Sequence, residues 1–352
     1  MPGDKPKPRE AVRKMAPYHP PTGGRSGKLR LDFNENTIGC SENVTRYIVE
    51  NLTEESLTIY PEYTEVRADL SKYFRVADEE MVLTNGTDEA IQVLINTYVD
   101  DDDDVLILKP AYAMYRFYAE VAGASIREIE YRPGTLAFPL QELLTAIHPD
   151  TKAILISNPN NPTGTGIDLE SITKILKRAP QAAVLIDEAY YEFSGVTALG
   201  LIKEYPNLFV TRTFSKVFGM AAMRFGCMFS QASNVAFLRK AQSPYSVNAL
   251  AALAARGAVR DSAYIQRYVG EVLAARELLY VGLEKLNIPY IKSQANFVLF
   301  FAGDRSIPIR DKLRELGVLI RDRSYEIAGC VRVTVGTRDQ IRKFLSALET
   351  IW

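Results

Sequence analysis

Histidine is nearly absent from this chain, with two in 352 residues, His19 and His148, each followed by proline in a stretch that reads as a turn. Ser-His, Cys-His and zinc-histidine chemistry is therefore poorly supplied. The three cysteines, Cys40, Cys227 and Cys330, are odd in number and far apart, which fits reduced intracellular thiols better than a disulfide framework. No metal is expected. No apolar run is long enough to span a membrane, and the opening stretch MPGDKPKPREAVRKMAPYHPP has charges and prolines where a signal peptide needs an apolar segment. The expected address is the cytoplasm. A surplus of charge is missing too: 42 Lys and Arg against 43 Asp and Glu give a net charge of -1, so neither nucleic acid nor an anionic membrane is an expected partner.

What is present is a core, since 47% of the residues are hydrophobic. The apolar runs VLIL (105–108), KAILIS (152–157), AAVLIDEA (182–189), NLFVTRTF (207–214) and FGCMFS (225–230) read as buried strands. Helical stretches such as DLESITKILKRA (168–179) separate the first four, the alternation of a parallel α/β sheet. Beyond residue 230 a long helix from about Tyr264 to Leu286, two further strand-like runs and a last helix from Arg338 predict a smaller α+β unit, completed in part by the N-terminal segment. The expected division is an N-terminal arm at 1–30, a large domain at 31–240 and a small domain at 241–352. The five aspartates at 100–104 lack the spaced ligands of a calcium loop and read as a solvated turn.

In parallel sheets ligands gather beyond the carboxyl ends of the strands. Those ends carry a distinctive set. Asp187 closes an otherwise apolar strand, where an ionised carboxylate needs a compensating cation or donors, although helix capping is an equally good reading of this residue alone. Tyr190 follows three positions later. Gly86 and Thr87 precede a helix starting near Asp88, and exposed N–H groups at a helix start suit a phosphate. Tyr112, Asn161, the Ser215-Lys216 pair and Arg224 complete the list. No Gly-rich dinucleotide or P-loop fingerprint stands at any strand-helix junction.

Those parts match the demands of pyridoxal phosphate. Its aldehyde needs an amine, which Lys216 offers, and its ring nitrogen stays protonated beside a carboxylate, which Asp187 offers. Asn161 and Tyr190 can hydrogen-bond the ring's phenolate oxygen. Thr87, Ser215 and Arg224 can neutralise the phosphate.

Taken in order, the motifs PYHP (17–20), NEN (34–36), YP (60–61), NGTDE (85–89), PAYAMY (110–115), NPNNPTG (158–164), DEAYYEF (187–193), TFSKVFGMAAMRFG (213–226), ANFVLF (295–300) and RDRSYEIAGCVRVTVGT (321–337) make the sequence resemble fold-type I pyridoxal-phosphate aminotransferases, and among them histidinol-phosphate aminotransferases. The spacing carries weight, with 26 residues from Asn161 to Asp187 and 29 more to Lys216. The resemblance implies a large domain with a mostly parallel seven-stranded sheet plus a small α+β domain, and ping-pong amino transfer from an amino donor to 2-oxoglutarate. The donor is histidinol phosphate or an aromatic or related amino acid.

By the same resemblance Lys216, Asp187 and Tyr190 are the catalytic residues. Gly86, Thr87, Asp88, Tyr112, Asn161, Thr213, Ser215 and Arg224 bind cofactor. Tyr60 is sent into the neighbouring subunit's site, which makes the expected assembly a homodimer. Arg332 is matched to a carboxylate-binding arginine, and Arg321, Tyr18 and Asn85 to contacts with the substrate's distal end. The segment between Arg321 and Arg332 is short, and its Glu326 is expected to repel an anion. A lyase or amino-acid-phosphate decarboxylase would use the same constellation, and a non-catalytic regulator with this fold is a remoter alternative.

Overall fold

The computed structural model describes residues 6–17 and 23–352. At its centre lies a seven-stranded sheet in the order Met81–Thr84, Gly226–Phe229, Leu208–Thr213, Ala183–Asp187, Thr151–Ser157, Asp104–Lys109, Ser125–Glu130. Only Gly226–Phe229 runs antiparallel to its neighbours. The five apolar runs all fall on strands, because a parallel sheet covered on both faces leaves no solvent side for a polar residue to occupy.

The two faces separate residue by residue. Ile154, Ile156, Val184 and Ile186 pack in one hydrophobic cluster, while Ala153, Leu155, Ala183 and Leu185 pack in the other. Each fully buried aliphatic side chain stabilises the fold by about 1.5–3 kcal/mol relative to exposure. Helix Leu169–Arg178 shows how the cover is made. Asp168 caps it by accepting from the Ser171 N–H at 2.7 Å, and Ile172, Ile175 and Leu176 form its buried stripe.

A second sheet, antiparallel and four-stranded, runs Arg321–Asp322, Cys330–Thr334, Phe297–Phe301, Tyr290–Ile291. The last two residues of the expected N-terminal arm, Leu29 and Arg30, pair in parallel with Val318 and Leu319. Leu31 then donates to the Leu319 carbonyl at 2.8 Å and accepts from the Thr334 N–H at 2.9 Å. The chain thus enters the large sheet's neighbourhood already tied to strands some 300 positions later. Helices Ser262–Lys285 and Arg338–Ile351 pack together behind this second sheet. Helix Glu42–Asn51 lies against helix Ala249–Val259, so closely that a Cβ on Gly257 would stand 2.9 Å from the Asn43 carbonyl oxygen.

The aspartate run turns at the surface, and Asp104 leaves it to begin a strand and bind Arg127 at 2.6 Å. Among the described residues no group of three His, Cys, Asp or Glu side chains is placed to hold a metal ion. None of the described helices is long and apolar enough to cross a membrane.

Candidate active site

The carboxyl ends of the central strands open into a cavity of about 450 Å³. Asp187, the last residue of its strand, is 3% exposed, and its carboxylate accepts from the Tyr115 hydroxyl at 2.8 Å and the Thr211 hydroxyl at 3.0 Å. Burial pushes its pKa up to about 6, against the pull of those two donors. Among the described residues no cationic side chain hydrogen-bonds it. A buried carboxylate in this state stabilises any cation placed against it.

Lys216 stands on the turn after strand Leu208–Thr213 and donates to the Phe33 carbonyl at 3.1 Å. Burial, and next the charge of Arg332, lower its amine to about 8. Its Nζ lies 5.9 Å from the ring centroid of Tyr190. The Tyr190 hydroxyl, itself buried, accepts from the Asn34 side-chain amide at 3.0 Å. Asn34 holds a left-handed backbone at φ 55° and is pinned by the Thr334 hydroxyl, which accepts from its N–H at 2.9 Å. Asparagine tolerates that conformation better than most residues.

At the start of helix Gly86–Tyr98, Gly86 has φ 75°, and a Cβ there would meet Arg224 Nη2 at 2.5 Å. The missing side chain lets the guanidinium lie over the helix N-terminus beside Thr87, Ser215 and Thr213, which all line the cavity. Asp88 accepts from Arg224 at 3.1 Å and from the Tyr112 hydroxyl at 2.7 Å. This combination of helix start, hydroxyls and arginine fork is a cradle for a phosphate.

Opposite lies a cluster of arginines. Arg332 donates to the Asn161 side-chain oxygen at 2.5 Å and to the Asp32 carbonyl at 2.8 Å. Burial, and then Arg323, lower its pKa to about 10. Arg321 and Arg323 line the same cavity. Three nitrogens of this cluster, Arg321 Nη1, Arg323 Nε and Arg332 Nε, are buried without a hydrogen-bond partner. Unpaired buried donors are costly, and the three guanidiniums gather positive charge at one wall of the cavity.

The sequence-selected residues Thr87, Asp88, Tyr112, Asn161, Asp187, Tyr190, Thr213, Ser215, Lys216, Arg224, Arg321 and Arg332 thus meet at one cavity, with Gly86 supporting Arg224 from outside it. Asn85 does not join them. It is exposed at the helix N-cap, with its N–H turned to Glu89 at 2.6 Å, and does not line the cavity. Tyr60 is 73% exposed and stacks on Tyr245, ring centroids 4.3 Å apart, beside a different pocket. Tyr18 lies outside the described residues. Glu326 lines the cavity with its carboxylate paired to Arg323.

Sequence reasoning missed Asn34, Tyr115, Thr211, Arg323 and the carbonyls of Asp32 and Phe33. Asn34 and Tyr115 stood inside quoted motifs, NEN and PAYAMY, without an assigned part. Their partners lie 156 and 72 positions away.

A mostly parallel sheet with an amine, a buried carboxylate and a phosphate cradle at its strand ends defines a pyridoxal-phosphate enzyme of the aminotransferase type. The aminotransferase class I and II family matches residues 26–348, and the chain belongs to that family. Pyridoxal 5′-phosphate is its cofactor, and the enzyme is an aminotransferase. Among curated relatives the chain is similar to histidinol-phosphate aminotransferase 1 of Carboxydothermus hydrogenoformans, 34% identical across 97% of this chain and 98% of that one. The histidinol-phosphate aminotransferase of Symbiobacterium thermophilum is 33% identical over 97% of both. Among solved structures, the histidinol-phosphate aminotransferase from Clostridium acetobutylicum superposes with a TM-score of 0.85 at 27% identity, covering 92% of this chain and 98% of that one. The Sinorhizobium meliloti enzyme in complex with pyridoxal-5′-phosphate has a TM-score of 0.88 at 18% identity over 97% and 98% of the two chains, a likeness of fold.

Proposed function

We propose that this aminotransferase takes its amino group from histidinol phosphate and passes it to 2-oxoglutarate, as a cytoplasmic biosynthetic enzyme. The observation that carries the substrate is the arginine cluster, in which Arg321, Arg323 and Arg332 line one cavity. A donor with a terminal phosphate brings an anion that several guanidiniums can share. The names of the curated relatives agree.

When bound, the cofactor supplies an aldehyde that accepts amino groups and a ring that withdraws electrons. The chain supplies the rest. Lys216 offers an amine with a large neutral fraction near pH 8, and its Nζ, once released, is the base that carries the proton from the substrate's alpha carbon. Asp187 holds the proton on the ring nitrogen, braced by Tyr115 and Thr211. Asn161 and Tyr190 would hydrogen-bond the ring's phenolate oxygen, Tyr112 would cover the ring, and Thr87, Thr213, Ser215 and Arg224 would hold the phosphate. Arg332 takes the carboxylate of glutamate or 2-oxoglutarate. No histidine is required, which agrees with the composition.

The assembly we propose is a homodimer. Val49, Leu57, Ile59, Tyr60 and Tyr245 are large apolar or aromatic side chains all more than half exposed, and a second copy would cover them and receive Tyr60 at its phosphate cradle.

A panel of amino donors decides the substrate. Each is mixed with the holoenzyme, and the loss of the cofactor's visible absorption is followed. Histidinol phosphate should react at least about tenfold faster than phenylalanine, a difference of about 1.4 kcal/mol in the barrier. Glutamate should bleach the band and release 2-oxoglutarate, which a lyase or decarboxylase does not produce. An inert histidinol phosphate overturns the substrate and leaves the class intact.

A further inference from the structure

Arg323 was not among the residues picked from the sequence, yet it is built into the wall of the active-site cavity. It is 8% exposed, and its backbone is fixed at both ends of a tight loop. Its N–H donates to the Cys330 carbonyl at 2.9 Å, and its carbonyl accepts from Glu326 and Ile327 at 3.0 and 2.9 Å. The guanidinium divides its attention. One terminal nitrogen is paired with the Glu326 carboxylate, the other donates to the Tyr325 hydroxyl at 2.9 Å, and Nε has no partner although it is buried.

The charges in this corner do not balance. Arg321, Arg323 and Arg332 converge on one cavity with Glu326 as the acid that neutralises any of them. Two further carboxylates near that wall, Glu35 and Asp32, share Arg25 at 2.6 and 2.9 Å. Arg25, Arg321, Arg323 and Arg332 thus face three carboxylates, Asp32, Glu35 and Glu326, and the surplus positive charge favours an anion in the cavity.

We propose that Arg323 is a substrate-binding arginine held in reserve, its guanidinium occupied by Glu326 until the terminal anion of the donor displaces that carboxylate. The inference rests on the phosphate-bearing donor argued above and deepens it. The exchange needs no backbone movement. Glu326 sits three residues from Arg323 on the same turn and its side chain is 21% exposed, so the released carboxylate has a path to water. Tyr325, 63% exposed and bonded to the same guanidinium, marks the solvent side of that path. Burial pushes the Glu326 carboxyl above its usual range despite Arg323, Arg332 and Arg321, so its present place is not one of strong electrostatic comfort.

A purely structural ion pair makes the opposite prediction about Glu326. If the carboxylate only braces Arg323, removing it disorders the guanidinium and weakens anion binding. If it competes with the substrate anion, removing it strengthens binding. The test uses holoenzyme, whose own phosphate cradle is filled, and titrates inorganic phosphate by calorimetry into the natural protein, Glu326→Gln and Arg323→Gln. Glu326→Gln should bind phosphate about five- to tenfold more tightly, and Arg323→Gln about tenfold or more weakly, the scale of one charge-assisted contact. In steady state the same variants should move KM for histidinol phosphate in those two directions by factors at least several times larger than for phenylalanine.

Arg323→Lys keeps the charge without the fork and should recover part of the loss. Equal or weaker phosphate binding in Glu326→Gln overturns the proposal, as does an Arg323→Gln protein that binds phosphate normally. Should the natural enzyme fail to use histidinol phosphate, the substrate assignment falls, and the phosphate titration still decides the role of Arg323.

Discussion

The Tyr115 hydroxyl donates to the Asp187 carboxylate across 2.8 Å, with the tyrosine wholly buried beneath the site. This bond works against desolvation. Asp187 reaches a pKa of about 6 through burial, and the Tyr115 and Thr211 donors keep it from rising further. Removing the first donor in Tyr115→Phe therefore protonates more of the carboxyl near neutrality and weakens its hold on the cationic ring. The cofactor dissociation constant at pH 7 should rise about tenfold, the worth of a hydrogen bond to a charged group. By pH 8.5 the deficit should narrow, since the carboxylate is ionised in both proteins. Equilibrium dialysis at the two pH values measures it, and a tyrosine that merely packs would give no pH dependence.

Lys216 makes a kinetic prediction. Only the neutral amine attacks an aldehyde, and burial with Arg332 lowers this amine to about 8. Cofactor uptake by cofactor-free protein should accelerate close to tenfold per pH unit below 8 and level off above it. Stopped-flow absorbance gives the profile. A rate still climbing steeply at pH 9.5 would place the lysine in water. Lys216→Ala should lose both turnover and the visible band.

Gly86 is the tightest backbone position of the phosphate cradle. In Gly86→Ala the new Cβ both opposes a φ of 75° and strikes Arg224, at 2.5 Å from Nη2. The left-handed backbone alone costs about 1–2 kcal/mol. Displacing the arginine adds to that, so cofactor affinity should fall by more than about tenfold, read as fluorescence or absorbance on titration.

A buried ion cluster on the other side of Asp187 sets a stability prediction. Arg212 pairs with Glu188 at 2.7 Å and stands 4.0 Å from Glu192, so one cation serves two acids. Burial raises Glu192 from 4.5 to about 7. An acid whose folded pKa is raised makes the folded state bind more protons between those values, so stability is lost as pH climbs through that window. Glu192→Gln abolishes the loss. The variant should be more stable than the natural protein at pH 8 by about 3–4 kcal/mol, from 1.4 kcal/mol per pKa unit, and equal to it near pH 4.5. Urea denaturation at both pH values tests the sign.

The sheet was legible because its strands are covered on both faces, which turns each into a continuous apolar run such as VLIL or KAILIS. Asp187 and Lys216 were legible for the converse reason, as charged residues at the ends of such runs. What escaped was whatever depends on distant partners. Nothing near Asn34 in the sequence announces Tyr190, and no local pattern tells a packed Tyr115 from one that serves a carboxylate. Arg323 was hidden by company, one of three arginines in a short segment where only the contacts show which are paired. Backbone carbonyls, such as that of Phe33 toward Lys216, carry no residue-type signal at all.

The strand at Leu29–Arg30 gives the site an unusual economy of attachment. Within four residues of its end, Asp32 reaches Arg332, Phe33 reaches Lys216 and Asn34 reaches Tyr190. The strand itself is hydrogen-bonded to Val318 and Leu319, just ahead of Arg321. Amine, phenol and arginines are therefore all tethered to one short ribbon, an attachment that bypasses the large sheet.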